Sequence, residues 1–530
     1  REVRPHEDYE NLPDPALKAH LAFSIFSGLF ITDPAHPDLD LWEARTHEVL
    51  RAFPEPFLTT RSAIMLAQHA FLAGRYRRLA EIRAALDARP ALVDPPPYAL
   101  YLGYAVRLYD DLLRFDHEAL AATFDASRTC GEETGAWIMD GHYALDHASG
   151  MILRSDLAGA EAVLERVAAV TPPAHYNLAG HLHMIRAWAA ACAGDVVRVR
   201  AHAVLLRRAA DGFGCVGYRV AAAIAETIAV VLDDREDPWP RLAELRRLAA
   251  EYRYPLPAIH AGLLEAWLAR QAGDGERCRR WLAETLPIFA GESGGYLTFA
   301  VPSLLGPLCA DALENGIETD FVLGLVRKYA LPPPASAGDT WPWPVVVRCF
   351  GGFELRVDGG PLPARGKSKH RQLDLLRLLA SHAPTPLTVA RVAEALWPDS
   401  EGDAAHHALE TTLSRLRSTL PPGLVRLEHG LLGLDPATCW SDTAELARLL
   451  PDLEAAAGDR LAGLVRRVLT LYRGELLAGH DTAWILAERE AWRGRIARQV
   501  GDAARRMAEA GRPEPAAELL RWALDTDPHN

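Results

Sequence analysis

A period of about forty residues in the first three hundred constrains this chain more than any other feature. Short turn signals read Ala73-Gly-Arg75, Arg114-Phe-Asp116, Arg154-Ser-Asp156, Ala193-Gly-Asp195, Leu232-Asp-Asp234 and Ala272-Gly-Asp274; the last residues of successive turns lie 41, 40, 39, 39 and 40 positions apart. Helical patterns rich in Ala and Leu run between them, such as Leu178–Trp188 followed by Val196–Ala210. Two helices per repeat at this period form an α-solenoid, because a lone hairpin cannot bury its apolar stripe and must stack on its neighbours. The fold class expected is mainly α, with residues 1–330 a helical-repeat sensor or interaction domain.

A chain of 530 residues has room for roughly three or four domains. No run in it approaches the 18 or so apolar residues of a membrane span, and its start lacks the pattern of a signal peptide. Seven cysteines, at 130, 192, 215, 278, 309, 349 and 439, form no CxxC pairs. That is the usage of reduced, buried thiols, which points to the cytoplasm. The sequence begins at Arg1 and stops inside what reads as a repeat, so it is expected to be part of a longer protein. A net charge of −13 argues against non-specific coating of nucleic acid. The charge is uneven: Val345–Asp435 holds 11 Lys+Arg against 10 Asp+Glu, net +1, which leaves −14 for the remainder.

Residues 331–344 break the helical pattern with Pro332-Pro-Pro334, Pro342, Pro344 and Gly338, and read as a stiff proline-rich linker. From Val345 to Gly360, alternation around Gly351-Gly352 and Asp358-Gly-Gly360 predicts a small antiparallel sheet. Ser368 can cap a helix reaching about Ser381, Thr388 a second from Val389 to Leu396, and Asp403 a third that Pro421-Pro-Gly423 stops. Leu424–Leu434 then reads as a hairpin. Sheet, three helices and hairpin in this order predict an α+β winged helix-turn-helix DNA-binding domain over residues 345–436.

In the third helix Leu409, Leu413, Leu416 and Leu420 recur at helical spacing, while His407, Thr411, Ser414 and Ser418 stand on the far side. Arg415 and Arg417 flank that polar face. Such a helix can rest on a core by its leucines, offer the polar face to a major groove and reach phosphates with its arginines. His429 at the hairpin tip, and Arg365, Lys367, Lys369 and Arg371 before the first helix, are further candidate DNA contacts.

Phe350-Gly-Gly-Phe-Glu-Leu355, Ala393-Glu-Ala-Leu-Trp-Pro398 and Leu413-Ser-Arg-Leu-Arg417 resemble the Streptomyces antibiotic regulatory protein (SARP) family, whose reader is similar to the OmpR-type winged helix. Downstream, Leu471-Tyr-Arg-Gly-Glu-Leu-Leu477, Asp481-Thr-Ala-Trp484, Glu488-Arg-Glu490 and Gly511–Ala517 resemble the bacterial transcriptional activator domain that follows this reader, here residues 437–530. The repeat array resembles the tetratricopeptide-like (TPR-like) region of MalT-like and LuxR-family regulators, which receives an inducer or a partner protein. The resemblance implies double-stranded promoter DNA and RNA polymerase as partners. It places the acidic loop, with Asp399, Glu401 and Asp403, where related folds touch polymerase. The tip Glu428-His429-Gly430 departs from the Arg or Lys usual there, and Leu432 from the usual aromatic. Weak base readers then imply modest affinity per monomer, offset by a homo-oligomer on direct repeats.

The alternative is a helical-repeat signalling adaptor whose winged helix makes protein contacts instead of binding DNA. Catalysis is not expected. The nearest string to a phosphate loop, Gly360–Ser368, has one spacer residue too many and two prolines where backbone amides must be exposed. No cofactor or metal is expected: His142, Asp146, His147, His175, His181 and His183 fall within two repeats, but His181 and His183 point to different sides of one helix, which fits packing better than ligation. An inducer pocket is expected from the repeat architecture, and no residue in the sequence marks it.

Overall fold

The repeat turns become tight joints between antiparallel helices. The structure is a computed structural model and describes residues 9–526 apart from 89–95, 173, 234, 253, 292–294, 363–369 and 401. It is mainly α, with 72% helix in 23 helices among the described residues and a small β portion. The chain divides into two units, Arg1–Pro334 and Ala335–Asn530.

In the first unit three-residue turns join α3 (Pro56–Leu72) to α4 (Tyr76–Asp87), α5 (Pro97–Leu113) to α6 (His117–Thr134), and α7 (Asp140–Leu153) to α8 (Leu157–Val170). They likewise join α9 (Tyr176–Cys192) to α10 (Val196–Phe213), and α13 (Pro255–Gln271) to α14 (Gly275–Ala290). A longer connection links α11 (Val216–Leu232) to α12 (Trp239–Tyr252). Helices α1 (Pro15–Thr32) and α2 (Leu39–Ala52) precede these pairs, and α15 (Pro302–Glu314) and α16 (Thr319–Lys328) come after them. The turn residues explain the period. Asp116, Asp156, Asp195 and Asp274 each accept a hydrogen bond at 2.9–3.0 Å from the backbone N–H three residues on, capping the second helix of their pair. The residue before each turns left-handed: Gly194 and Gly273 at φ 72° and 74°, Phe115 and Ser155 at 57° and 63°.

Small residues let the pairs close on one another. A Cβ at Gly180 of α9 would stand 2.5 Å from the Tyr218 ring of α11, and one at Gly150 of α7 would stand 2.3 Å from Leu120 of α6. The helices curl far enough that α11 returns to the start of the unit: a Cβ at Gly217 would lie 3.2 Å from Leu72 of α3. Helix α1 is long and apolar enough, by length and composition, to cross a membrane, contrary to the sequence expectation. Its Phe26 and Phe30 rings pack edge-on to His69 of α3, and the backbone carbonyl of Ala22 accepts from Thr46 of α2.

In the second unit β1 (Val345–Arg348) pairs antiparallel with β2 (Glu354–Val357), Val345 opposite Val357, and β2 pairs with β3 (Gly360–Pro361). Beyond the expected antiparallel sheet, β7 (Cys439–Ser441) joins the free edge of β1 in parallel. Three helices come after β3: α17 (His370–His382), α18 (Val389–Leu396) and α19 (Gly402–Thr419). The strands β4 (Leu387–Thr388), β6 (Leu431–Leu434) and β5 (Val425–Glu428) make a second sheet in that order. Then come α20 (Asp442–Ala455), α21 (Gly458–Leu471), α22 (Ala483–Glu509) and α23 (Pro513–Thr526). Thr388 caps α18 as expected, through Arg391 N–H at 3.2 Å. The expected cap Ser368 lies outside the described residues, and Asp403 sits within the first turn of α19 instead of before it.

Residues 345–436 are not separated by any boundary from the helices beyond them. Besides β7, the Asp442 carboxylate accepts from the N–H groups of Cys349 and Phe350 at 2.8–2.9 Å, and Trp492 Nε1 donates to Ser381 O at 3.1 Å. The Phe350–Leu355 and Leu471–Leu477 motifs lie against each other: Leu477 N–H donates to Cys349 O at 2.7 Å, and Gly351 and Gly474 meet so closely that a Cβ on Gly474 would lie 3.2 Å from Gly351 Cα. The expected linker is also partly structured. Ala337, Trp341 and Trp343 are buried and Asp339 pairs with Arg348, so the boundary falls within the proline run.

Candidate nucleic-acid interface

Helix α19 buries Ala405, Leu409, Thr412, Leu413 and Leu416, and Leu420 just beyond its end is buried too. Three of the expected polar residues, His407, Ser414 and Ser418, are exposed, while Thr411 is half-buried. Thr412, one position on, turns inward and donates from Oγ1 to Ala408 O at 2.8 Å. The leucine spacing therefore places the helix faces correctly, with a core edge one residue wider than four leucines suggest. Ser418 Oγ donates to Arg415 O at 2.8 Å, and His407 Nδ1 lies 3.9 Å from the Glu410 carboxylate, so both side chains have local partners at rest.

The arginines divide by their engagement. Arg415 is exposed, and among the described residues its side chain has no hydrogen bond or ion pair. Arg417 leans on the hairpin, its Nη2 3.4 Å from Val425 O. Arg371 is structural: it donates to Leu396 O at 2.9 Å and its guanidinium lies 5.8 Å from the Trp397 ring centroid, which ties α17 to the end of α18. Orphan carbonyls at a helix end attract a nearby guanidinium. Arg365, Lys367, Lys369 and Glu401 lie outside the described residues. Asp399 and Asp403 are both exposed beside the start of α19.

The β5–β6 hairpin turns at His429 and Gly430, with φ 52° and 77°, the left-handed pair of a two-residue hairpin turn. His429 and Glu428 are exposed there, and Leu427 and Leu431 are 46% and 38% exposed, an apolar edge on a short ribbon. Leu432 is fully buried where the family resemblance places an aromatic residue. At the other end of the unit, Glu488 of α22 meets His382 Nε2 at 3.0 Å and Arg391 at 3.8 Å, so the C-terminal helices hold the first two helices of the trio.

The first unit contains a feature that sequence reasoning missed. Residues 296–301, between α14 and α15, run buried through the inside of the helix pairs. Trp188 Nε1 donates to Ala300 O at 2.8 Å, His260 Nε2 to Thr298 O at 2.8 Å, and Tyr329 Oη to Gly295 O at 2.9 Å. Together with the helices, this segment encloses a cavity of about 200 Å³. His142, Asp146 and His181 line it, which brings together half of the histidine-rich cluster, while His147 stacks on Phe124 and His183 on His202 elsewhere. Among the described residues no group of three or more His, Cys, Asp or Glu is arranged to hold a metal ion. Only the spacing of 39 between His142 and His181, one repeat, could have marked the pair in advance.

No protein-family model matches the chain, and no curated protein matches it.

Proposed function

We propose that this chain is a sequence-specific DNA-binding transcriptional activator of the SARP type, controlled through a helical-repeat sensor. In this reading Arg1–Pro334 is an α-solenoid, the trio α17–α19 with the β5–β6 hairpin is a winged helix-turn-helix, and α20–α23 form the activator domain. The observation that carries it is α19 itself: leucines buried on one side, and His407, Ser414, Arg415 and Ser418 in solvent on the other. That face suits a major groove, with Arg415 available to a phosphate and the hairpin beside it suited to the adjoining groove. Ser and His read bases weakly, so phosphate contacts supply most of the affinity and tandem copies the specificity. Asp399 and Asp403 suit a basic polymerase surface. The cytoplasm is the compartment that fits such a role.

The test is selection of bound sites from random duplex DNA by the full chain, followed by titration of the enriched sequence. A recurrent motif in two direct copies, lost with Arg415→Ala, supports the reading. Retrieval of no motif, with unchanged behaviour of the variant, favours the protein-contact adaptor.

A further inference from the structure

The cavity inside the first unit has walls of two kinds. Aromatic rings from several helices line it among aliphatic side chains: Phe30 of α1, Phe71 of α3, Tyr109 of α5, Tyr218 of α11 and Tyr296 of the central segment. One side is polar, where His142 Nδ1 and His181 Nδ1 stand 3.1 Å apart and His181 Nε2 lies 3.6 Å from Asp146 Oδ1. No Lys or Arg is among the lining residues.

Asp146 is the unusual member. Its residue is 4% exposed, yet among the described residues its carboxyl accepts no hydrogen bond, and 3.6 Å to His181 is too long for one. A buried carboxylate without a partner is costly, so the group holds a proton more tightly, and a cation from outside can take that proton's place. Aromatic rings line the same space, and a ring that turns its face to a cation attracts it. An anionic ligand would meet a carboxyl and no Lys or Arg. A wholly apolar ligand would leave the Asp146 carboxyl without a hydrogen-bond partner.

We propose that this cavity is a binding site for a small organic ammonium ion, a protonated amine on an apolar or aromatic body. Asp146 is its counter-ion, His181 supports the same carboxylate, and the Tyr109, Tyr218 and Tyr296 rings enclose the head group. His142 Nδ1 and His181 Nδ1 share one hydrogen bond; with His142 as its donor, His181 presents Nε2–H toward Asp146. This site stands apart from the DNA reading, so either can fail without the other.

The proton balance gives a signature. Burial holds the Asp146 carboxyl well above the usual carboxylate range in the free protein, which favours its protonated form. Burial also pushes His142 down to about 4 and His181 well below the usual imidazole value, so both rings are neutral. The other titratable groups facing the cavity, Tyr109, Tyr218, Tyr296 and Cys215, are held protonated by burial. When an ammonium ion enters with its own proton, Asp146 gives up its proton to the buffer and the ion pair forms. One proton leaves per ligand bound, and affinity rises with pH.

The experiment is isothermal titration of the full chain with three probes of similar shape: 2-phenylethylamine, 2-phenylethanol and 3-phenylpropanoate, each in two buffers of different ionisation enthalpy. The expected result is saturable binding of the amine, at least about tenfold tighter than the alcohol, with about one proton released, and none of the carboxylate. Asp146→Asn should abolish the preference for amine over alcohol, with its fold checked by circular dichroism. The wild-type charge series decides the matter if that variant does not fold. Equal binding of amine and alcohol, tighter binding of the carboxylate, or no binding of the amine up to its solubility limit overturns the assignment.

Discussion

The close approach of α9 and α11 gives a sharp prediction for Gly180→Ala. The added Cβ would stand 2.5 Å from Cδ2 and Cε2 of Tyr218, where carbon atoms prefer about 3.5–4.0 Å. The ring must therefore retreat by about 1 Å. It is not free to do so, because the Tyr218 hydroxyl donates to Asn177 O at 2.9 Å and lies 3.0 Å from Asn177 Oδ1, on the same helix as Gly180. Overpacking of this kind costs about 1–3 kcal/mol, whereas Ala in place of Gly inside a helix gains about 0.5–1 kcal/mol. The net expected is a loss of about 0–2.5 kcal/mol. Gly324 in α16 is the control, since a Cβ there meets nothing within 4 Å. Gly324→Ala should stabilise by about 0.5–1 kcal/mol. Urea unfolding monitored by circular dichroism, both variants beside wild type, measures the contrast. If Gly180→Ala stabilises as much as Gly324→Ala, the helices do not approach as described and the packing argument fails.

Other outcomes are expected from the same structure. Ser155 occupies the left-handed turn position that Gly194 and Gly273 fill in other repeats, so Ser155→Gly should raise stability by about 0.5–1 kcal/mol in the same urea assay. Burial pushes His142, His183, His202 and His260 down to about 4, so their contribution is fully present above the unfolded value near 6.5 and is lost as pH falls from there through 4. Asp442 has the opposite sign: burial raises it to about 7 against three backbone N–H donors, so stability from this group is present below about 3.9 and is lost as pH rises through 7. Hydrogen exchange at pH 5 and 7.5, corrected for intrinsic rates, should show protection in the first unit falling on acidification and protection at Cys349 and Phe350 rising. Asp146, also raised by burial, partly offsets the histidines; equal protection at both pH values in both units would contradict these assignments.

Much of the fold was legible because local chemistry repeats. The turns at Asp116, Asp156, Asp195 and Asp274 announce themselves by an aspartate that must cap a helix. The third helix of the second unit is legible from four leucines, and its exposed face from the residues between them. What was hidden is long-range. Nothing local in Cys439–Ser441 says that it will pair in parallel with Val345–Val347, nor that Asp442 will reach back to Cys349 and Phe350. Arg371 read as a candidate phosphate contact, and its partner in the fold, a helix-end carbonyl at Leu396, is a backbone group that sequence does not display. A pocket was expected from the repeats, but the residues that line it were hidden for a related reason. Its walls come from helices more than a hundred residues apart, joined by the curl of the array and closed by the segment around Tyr296.

The most direct test of the central proposal is fluorescence anisotropy of the full chain with its selected duplex, over a salt series, wild type beside Arg415→Ala. Saturable binding is expected, with a negative slope of log affinity on log salt that becomes shallower by about one in the variant, as for one lost phosphate contact. Circular dichroism should not change, because Arg415 is exposed and, among the described residues, its side chain has no hydrogen bond or ion pair. Binding with the same slope in both proteins would remove α19 from the interface. Absence of any salt-dependent binding, with or without an amine in the cavity, would contradict the DNA-binding reading itself.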